Sequence, residues 1–149
     1  MRKSTIAVAL LALFSSGLVF GTEKSGTGKR IVSPPGTKPG GNYSQGILTG
    51  DTLYISGQGG EDAAGKIPSD FDAEVKQSLE NIGAILKAAG MSPADVVSVQ
   101  VYLTDASKFQ RMNTVYTGYF KDPRPTRTTV VVAALVGPGN IEITVTARK

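Results

Sequence analysis

The chain has 149 residues and contains neither cysteine nor histidine. Without cysteine there are no disulfides, no thiol nucleophile and no lipoprotein anchor built on a lipidated N-terminal cysteine. Without histidine there is no imidazole base, and the two absences together remove any Cys/His zinc site. Chemistry in this chain must use Arg, Lys, Tyr, Asp, Glu, Ser, Thr, Asn or water. The charge balance is modest, with 16 basic and 12 acidic residues giving a net +4. The glycine-rich "SGQGG" at 56–60 lacks the spacing of a phosphate-binding loop.

The longest apolar run lies at the start. "MRKSTIAVALLALFSSGLVFG" has a basic end (Arg2, Lys3) followed by an uncharged stretch through Gly21. Val19 and Gly21 fit positions −3 and −1 of a signal-peptidase site. Residues 1–21 therefore read as a cleaved signal peptide, and the protein as exported, periplasmic or secreted, with no stable membrane association after cleavage. An uncleaved anchor and a hydrophobic first helix are the alternatives, since the stretch approaches the ~20 residues a span needs. Removing it takes away Arg2 and Lys3 and no acid, so the net charge falls to about +2. Nucleic-acid binding wants a clustered basic face, which this balance does not supply.

The glycine- and serine-rich stretch at 22–30 reads as a flexible tether, leaving 31–149 as one domain. Gly50-Asp51 between two short apolar runs is a hairpin signal. Phe71, Val75, Leu79, Ile82, Leu86 and Ala89 fall on one face of a helix from about 70 to 89. Ser69 or Asp70 can cap its start, and Gly90 can end it. "SPAD" at 92–95 has the form of a capped turn. Val97, Val99, Val101 and Leu103 alternate with polar residues, as in a strand with one buried face. Phe109, Met112, Tyr116 and Phe120 return to helical spacing. Two strands follow, joined through "VGPGN" at 136–140. The order β-β-α-β-α-β-β predicts an α+β domain with one sheet and both helices on one face.

Two charged residues stand out in the final strands. Arg127 opens a β-branched run two residues after Pro125, which stiffens the backbone that presents it. A guanidinium there is either a solvated strand end or a fixed carboxylate clamp. Glu142 is the only acid in those strands, and strands disfavour glutamate. If the two strands pair through the 136–140 turn, Arg127 and Glu142 come within reach of one site; a plain cross-strand salt bridge reads equally well. Tyr43, among glycines, and Asn113 complete the polar set. Lys87 and Lys108 show no pattern implying a Schiff base.

Together, "YSQG", "YISGQ", "QSLENIGAILKAAGMSPADVVSVQVYLTD", "MNTVYTGYF", "RPTRTTVVV" and "IEITVTA", in register from Ile31 to Lys149, resemble the Rid/YjgF family of reactive-intermediate (imine/enamine) deaminases. The resemblance implies a chorismate-mutase-like, YjgF-type α+β domain that assembles as a homotrimer with sites between subunits. It implies that Arg127 clamps the carboxylate of a 2-imino acid, that Glu142 orients the attacking water, and that Tyr43 and Asn113 line the cleft. Ser56 and Gly57 fall in its pocket-lining segment. Thr129 stands where the family often has cysteine, and Asn42 where it usually has proline. The implied reaction is hydrolysis of 2-iminobutanoate or 2-iminopropanoate, without metal or other cofactor. The alternative is a non-catalytic trimer that binds small carboxylates as a sensor or scavenger. An RNA-cleaving role fits poorly with export and with the weak basic balance.

The leader is open to a direct check. N-terminal sequencing of the protein recovered outside the cytoplasm is expected to begin at Thr22, and a product still carrying Met1 would show an uncleaved anchor.

Overall fold

The computed structural model describes residues 28–37 and 41–149, so the signal and most of the tether lie outside the described residues. The strands are β1 (Lys29–Val32), β2 (Gly46–Thr49), β3 (Thr52–Gln58), β4 (Val96–Leu103), β5 (Thr126–Val131) and β6 (Ile141–Arg148). The helices are α1 (Phe71–Ala88) and α2 (Phe109–Tyr119). One six-stranded sheet has the order β1-β2-β3-β6-β4-β5. Strand β1 was not foreseen, and it begins at Lys29, inside the stretch read as tether. Among the described residues no helix is long and apolar enough to cross a membrane.

Local signals account for most element ends. Gly50, at φ +58, closes the two-residue loop between β2 and β3, whose last pair is Thr49 with Thr52. Asp70 caps α1 by accepting from the Ala73 N–H at 3.0 Å. Gly90, at φ +71, ends α1 in the left-handed conformation that a side chain resists. The Asp95 carboxylate accepts from the Ser92 N–H at 2.7 Å, which makes "SPAD" the expected capping box.

Both helices pack on one face of the sheet. Phe71, Val75, Leu79, Ile82 and Leu86 of α1 meet Leu53, Ile55, Val99, Val101, Ile143 and Val145 in a core that extends to Met112, Tyr116 and Phe120. One inward assignment fails: Val97 is 47% exposed. A bulge between Val96 and Ser98 adds a residue to β4, so Val96 takes the buried place opposite Ala147. Among the described residues no helix covers the other face of the sheet. Ile31, Ile47 and Tyr54 share register across it, and so do Val130, Tyr102 and Glu142.

The expected pairing of the last two strands does not occur. β5 runs parallel to β4 after the α2 crossover, while β6 inserts antiparallel between β3 and β4. The stretch 132–140 is therefore a connection across β4 rather than a hairpin turn.

Burial, with Glu80 adding to it, pushes the Tyr119 phenol up to about 12 from its usual 10.0. The unfolded chain then ionises this phenol first. Stability should fall as pH rises from about 10 to about 12, and Tyr119→Phe should flatten that loss in urea titrations across the range.

Candidate active site

The polar residues sort into two groups. The first lies at the end of β3, where the "SGQGG" segment leaves the sheet. The Ser56 hydroxyl donates to the Ser44 carbonyl at 2.7 Å, and the Ser56 N–H donates to the Gln45 carbonyl at 2.9 Å. Ser56 thus ties the Tyr43 loop to β3, and it is not among the residues lining the cleft. The glycines after it make room for acids. A Cβ at Gly57 would overlap the Glu142 carboxylate, one at Gly59 would overlap that of Glu61, and one at Gly60 would lie 2.5 Å from the Glu74 Cγ. No side chain fits at these positions while the glutamates stay in place.

Helix α1 pins this segment from its polar side. Ser78 donates to the Gln58 carbonyl at 2.8 Å, and the Asn81 amide donates to the Gly59 and Glu61 carbonyls at 3.0 and 2.9 Å. Glu74 is 1% exposed and accepts from both the backbone N–H and the side-chain amide of Asn140. Lys108 donates to the Asn140 side-chain carbonyl, and Thr104 N–H to its main-chain carbonyl at 3.1 Å. Half-buried Asn140 is thereby satisfied at every polar atom. It immediately precedes β6 and so fixes where Glu142 begins its strand. The result is a cleft of about 560 Å³ whose lining includes Tyr43, Gln45, Gly57, Glu61 and Glu142.

The second group lies at the sheet's far edge. Arg127 is half-buried on the helix-covered face, in register with Val99. Its guanidinium carbon stacks 4.5 Å from the Tyr116 ring centroid and 5.8 Å from that of Phe109. A nitrogen lies 4.0 Å from the Met112 sulfur. Among the described residues it has no acidic partner. Beside it, the Tyr116 hydroxyl and the Thr129 hydroxyl are both buried without a hydrogen-bond partner. Burial pushes the Tyr116 phenol above its usual range, and the nearby Arg127 and Arg124 charges pull it partly back. Asn113 is half-buried on the same helix, its side chain unbonded among the described residues.

The two groups do not meet within one chain. Glu142 shares register with Tyr102 and Val130 on the open face, whereas Arg127 shares it with Val99 and Val145 on the other. β4 separates them, and two inter-strand steps alone amount to about 10 Å. The expectation that strand pairing would bring Arg127 and Glu142 to one site in one chain is therefore corrected. Tyr43, Gly57 and Glu142 gather at the cleft; Arg127 and Thr129 gather at the β5 edge against α2, the helix that carries Asn113. Among the described residues no cluster of three potential metal ligands occurs.

The model of the family described as Endoribonuclease L-PSP matches residues 35–149. The chain belongs to this family, the Rid/YjgF proteins. A RutC family protein of Saccharolobus solfataricus is 43% identical over 121 residues, covering 80% of this chain and 96% of that protein. The bovine protein named 2-iminobutanoate/2-iminopropanoate deaminase is 47% identical over 105 residues, covering 69% and 77%. Among solved Rid structures, RidA from a Psychrobacter species superposes with a TM-score of 0.75 at 39% identity, over 80% of this chain and 99% of that one. The sheet with two helices is thus the fold of the Rid/YjgF family, as expected.

Sequence reasoning missed Tyr116, Glu61 and Glu74. Tyr116 sits on a regular apolar stripe and reads as core, which its ring is. Glu61 and Glu74 are ordinary acids until the glycines beneath them are seen. Glu74→Ala would leave two half-buried Asn140 donors without their acceptor, so the unfolding free energy in urea should drop by roughly 1–3 kcal/mol.

Proposed function

We infer that this chain hydrolyses reactive 2-imino acids, with 2-iminobutanoate and 2-iminopropanoate as the simplest substrates, to 2-oxo acids and ammonia. The observation that carries this reading is Arg127: a guanidinium with no acid partner among the described residues, held on two aromatic rings beside two orphaned hydroxyls. An unpaired, preorganised guanidinium of this kind suits a planar carboxylate. The names of the bovine and human relatives support the finer assignment.

Because Arg127 and Glu142 occupy opposite faces, the reading requires a second copy of the chain, and we take the assembly to be a trimer with sites between subunits. The uncovered face, with Ile31, Tyr54 and Val130 exposed on it, is suited to such burial. In that arrangement Arg127 of one subunit holds the substrate carboxylate, and the neighbouring cleft brings Glu142 and Tyr43 to the imine. An imine carbon is electrophilic already, so positioning and a base are sufficient. A water oxygen bonds to the imine carbon while Glu142 takes its proton. Glu142 passes that proton to the imine nitrogen, giving the carbinolamine; it then takes the hydroxyl proton and returns it to the nitrogen as the C–N bond breaks, so ammonia leaves and the carbonyl forms. Export through residues 1–21 is part of the same proposal.

The second reading, a trimer that binds small carboxylates without turnover, would need only Arg127. It leaves Glu142 and the glycine that accommodates it without a purpose.

Two substitutions separate these readings. Arg127→Ala should lower kcat/KM for 2-iminobutanoate roughly 10²-fold or more, mainly through KM. Glu142→Gln should lower kcat by about 10²–10⁴ with KM little changed. Ammonia release above the spontaneous rate is the readout, with sedimentation equilibrium on each variant. A trimer that binds 2-oxo acids but gives no acceleration would establish the binding protein instead.

A further inference from the structure

The backbone of Arg127 is fixed, but its side chain takes no direction from hydrogen bonds. Pro125 stiffens the entry to β5, and the ladder to β4 holds Arg127 opposite Val99. Beyond that point lies a long side chain with much rotamer freedom to lose. Among the described residues its one polar contact is the 4.0 Å approach of a guanidinium nitrogen to the Met112 sulfur, a weak acceptor. What the guanidinium does have is a floor. Phe109, Met112 and Tyr116 follow one another at steps of three and four along α2, so they form a single stripe. The guanidinium carbon lies over the Tyr116 ring at 4.5 Å from its centroid, and farther out over Phe109 at 5.8 Å. The Tyr116 ring is itself held. It is 3% exposed and packs on the Phe120 ring at 4.7 Å, against which Tyr119 closes edge-on at 4.9 Å.

Resting on the imine-hydrolase reading, we propose that Tyr116 is the positioning residue of the carboxylate clamp, with the half-buried Phe109 as its lesser partner. An arginine stacked on an aromatic face keeps its N–H fork, which lies in the guanidinium plane, open to a carboxylate. The ring restrains the side chain before the substrate arrives, so that cost is not charged against binding. Every contact in the stack lies within one chain. The stack is therefore the same whatever a neighbouring subunit brings to the cleft. It acts on the hold over the carboxylate and leaves the attack of water at the imine carbon to Glu142. Its signature belongs in KM and not in kcat.

The test measures ammonia release from 2-iminobutanoate by Tyr116→Leu, Tyr116→Phe and Phe109→Leu, each alone and combined with Arg127→Ala. Tyr116→Leu should raise KM roughly five- to thirty-fold, the range of a partly desolvated cation–π contact, with kcat held within about twofold. Phe109→Leu should raise KM about two- to threefold. Tyr116→Phe keeps the ring and should bring KM back to within about twofold of the unsubstituted protein. Combined with Arg127→Ala, none of the three should cost anything further, since no guanidinium is left to place. An unchanged KM in Tyr116→Leu overturns the proposal, and so does a loss that falls on kcat or persists alongside Arg127→Ala, which would make Tyr116 a packing residue. A Tyr116→Phe protein as weak as Tyr116→Leu also overturns it, by moving the effect from the ring to the hydroxyl. Urea unfolding shows which variants are folded; if Tyr116→Leu is not, Phe109→Leu decides by the same criteria. If no imine is turned over, the hydrolase reading fails by itself, and calorimetric binding of 2-oxobutanoate, which carries the same carboxylate, tests the clamp. Affinities weakened by the same factors still support the positioning role. Equal affinities across the variants, or no binding at millimolar 2-oxobutanoate, refute it.

Discussion

The parallel pairing of β5 with β4 is the constraint on which the chemistry of this chain depends. It leaves β6 free to insert between β3 and β4, where Ile141, Ile143, Val145 and Ala147 are all fully buried. It also sends β5 to the sheet edge, where Arg127 faces helix α2 and Glu142 is two strands away on the opposite face. A hairpin would instead have paired β5 directly with β6, one inter-strand step away. The crossover keeps both without an ion-pair partner among the described residues, on opposite faces of the sheet.

Around Glu142 the same economy of space recurs three times. Gly57, Gly59 and Gly60 each sit under a glutamate, and each glutamate has a different surrounding. Glu74 is sealed into the core and saturated by Asn140, so it acts as a fastener between α1 and the start of β6. Glu142 and Glu61 are left facing a cleft. A glycine-rich segment often signals a phosphate held by backbone N–H groups. Here the glycines serve carboxylates of the chain itself, which gives the cleft a negative lining where a phosphate loop would present donors.

The open face of the sheet carries exposed apolar side chains. The exposed apolar residues Ile31, Tyr54 and Val130 lie on it, each in register with a neighbour on the next strand. A one-layer α+β unit of this kind has half of a second hydrophobic interface built into it.

Short-range signals were legible in the sequence because their causes are short-range. The one-sided stripe of α1, the Asp70 cap, the glycine turns at Gly50 and Gly90 and the Ser92–Asp95 box each depend on residues within one or two turns of chain. Val97 was misplaced because a bulge changes the side-chain phase without changing the alternation that precedes it. The identities of Arg127, Glu142, Tyr43 and Asn113 as the polar residues of interest were also readable, from their incongruity with the segments that carry them and from the family pattern. Their grouping was not. Which strand lies beside β5, and hence which face each charge occupies, is decided by how α2 and the connection at 132–140 route the chain across the sheet. The roles of Tyr116, Glu61 and Glu74 likewise come from neighbours distant in sequence, because a residue's burial and its missing partners are properties of packing and not of local pattern.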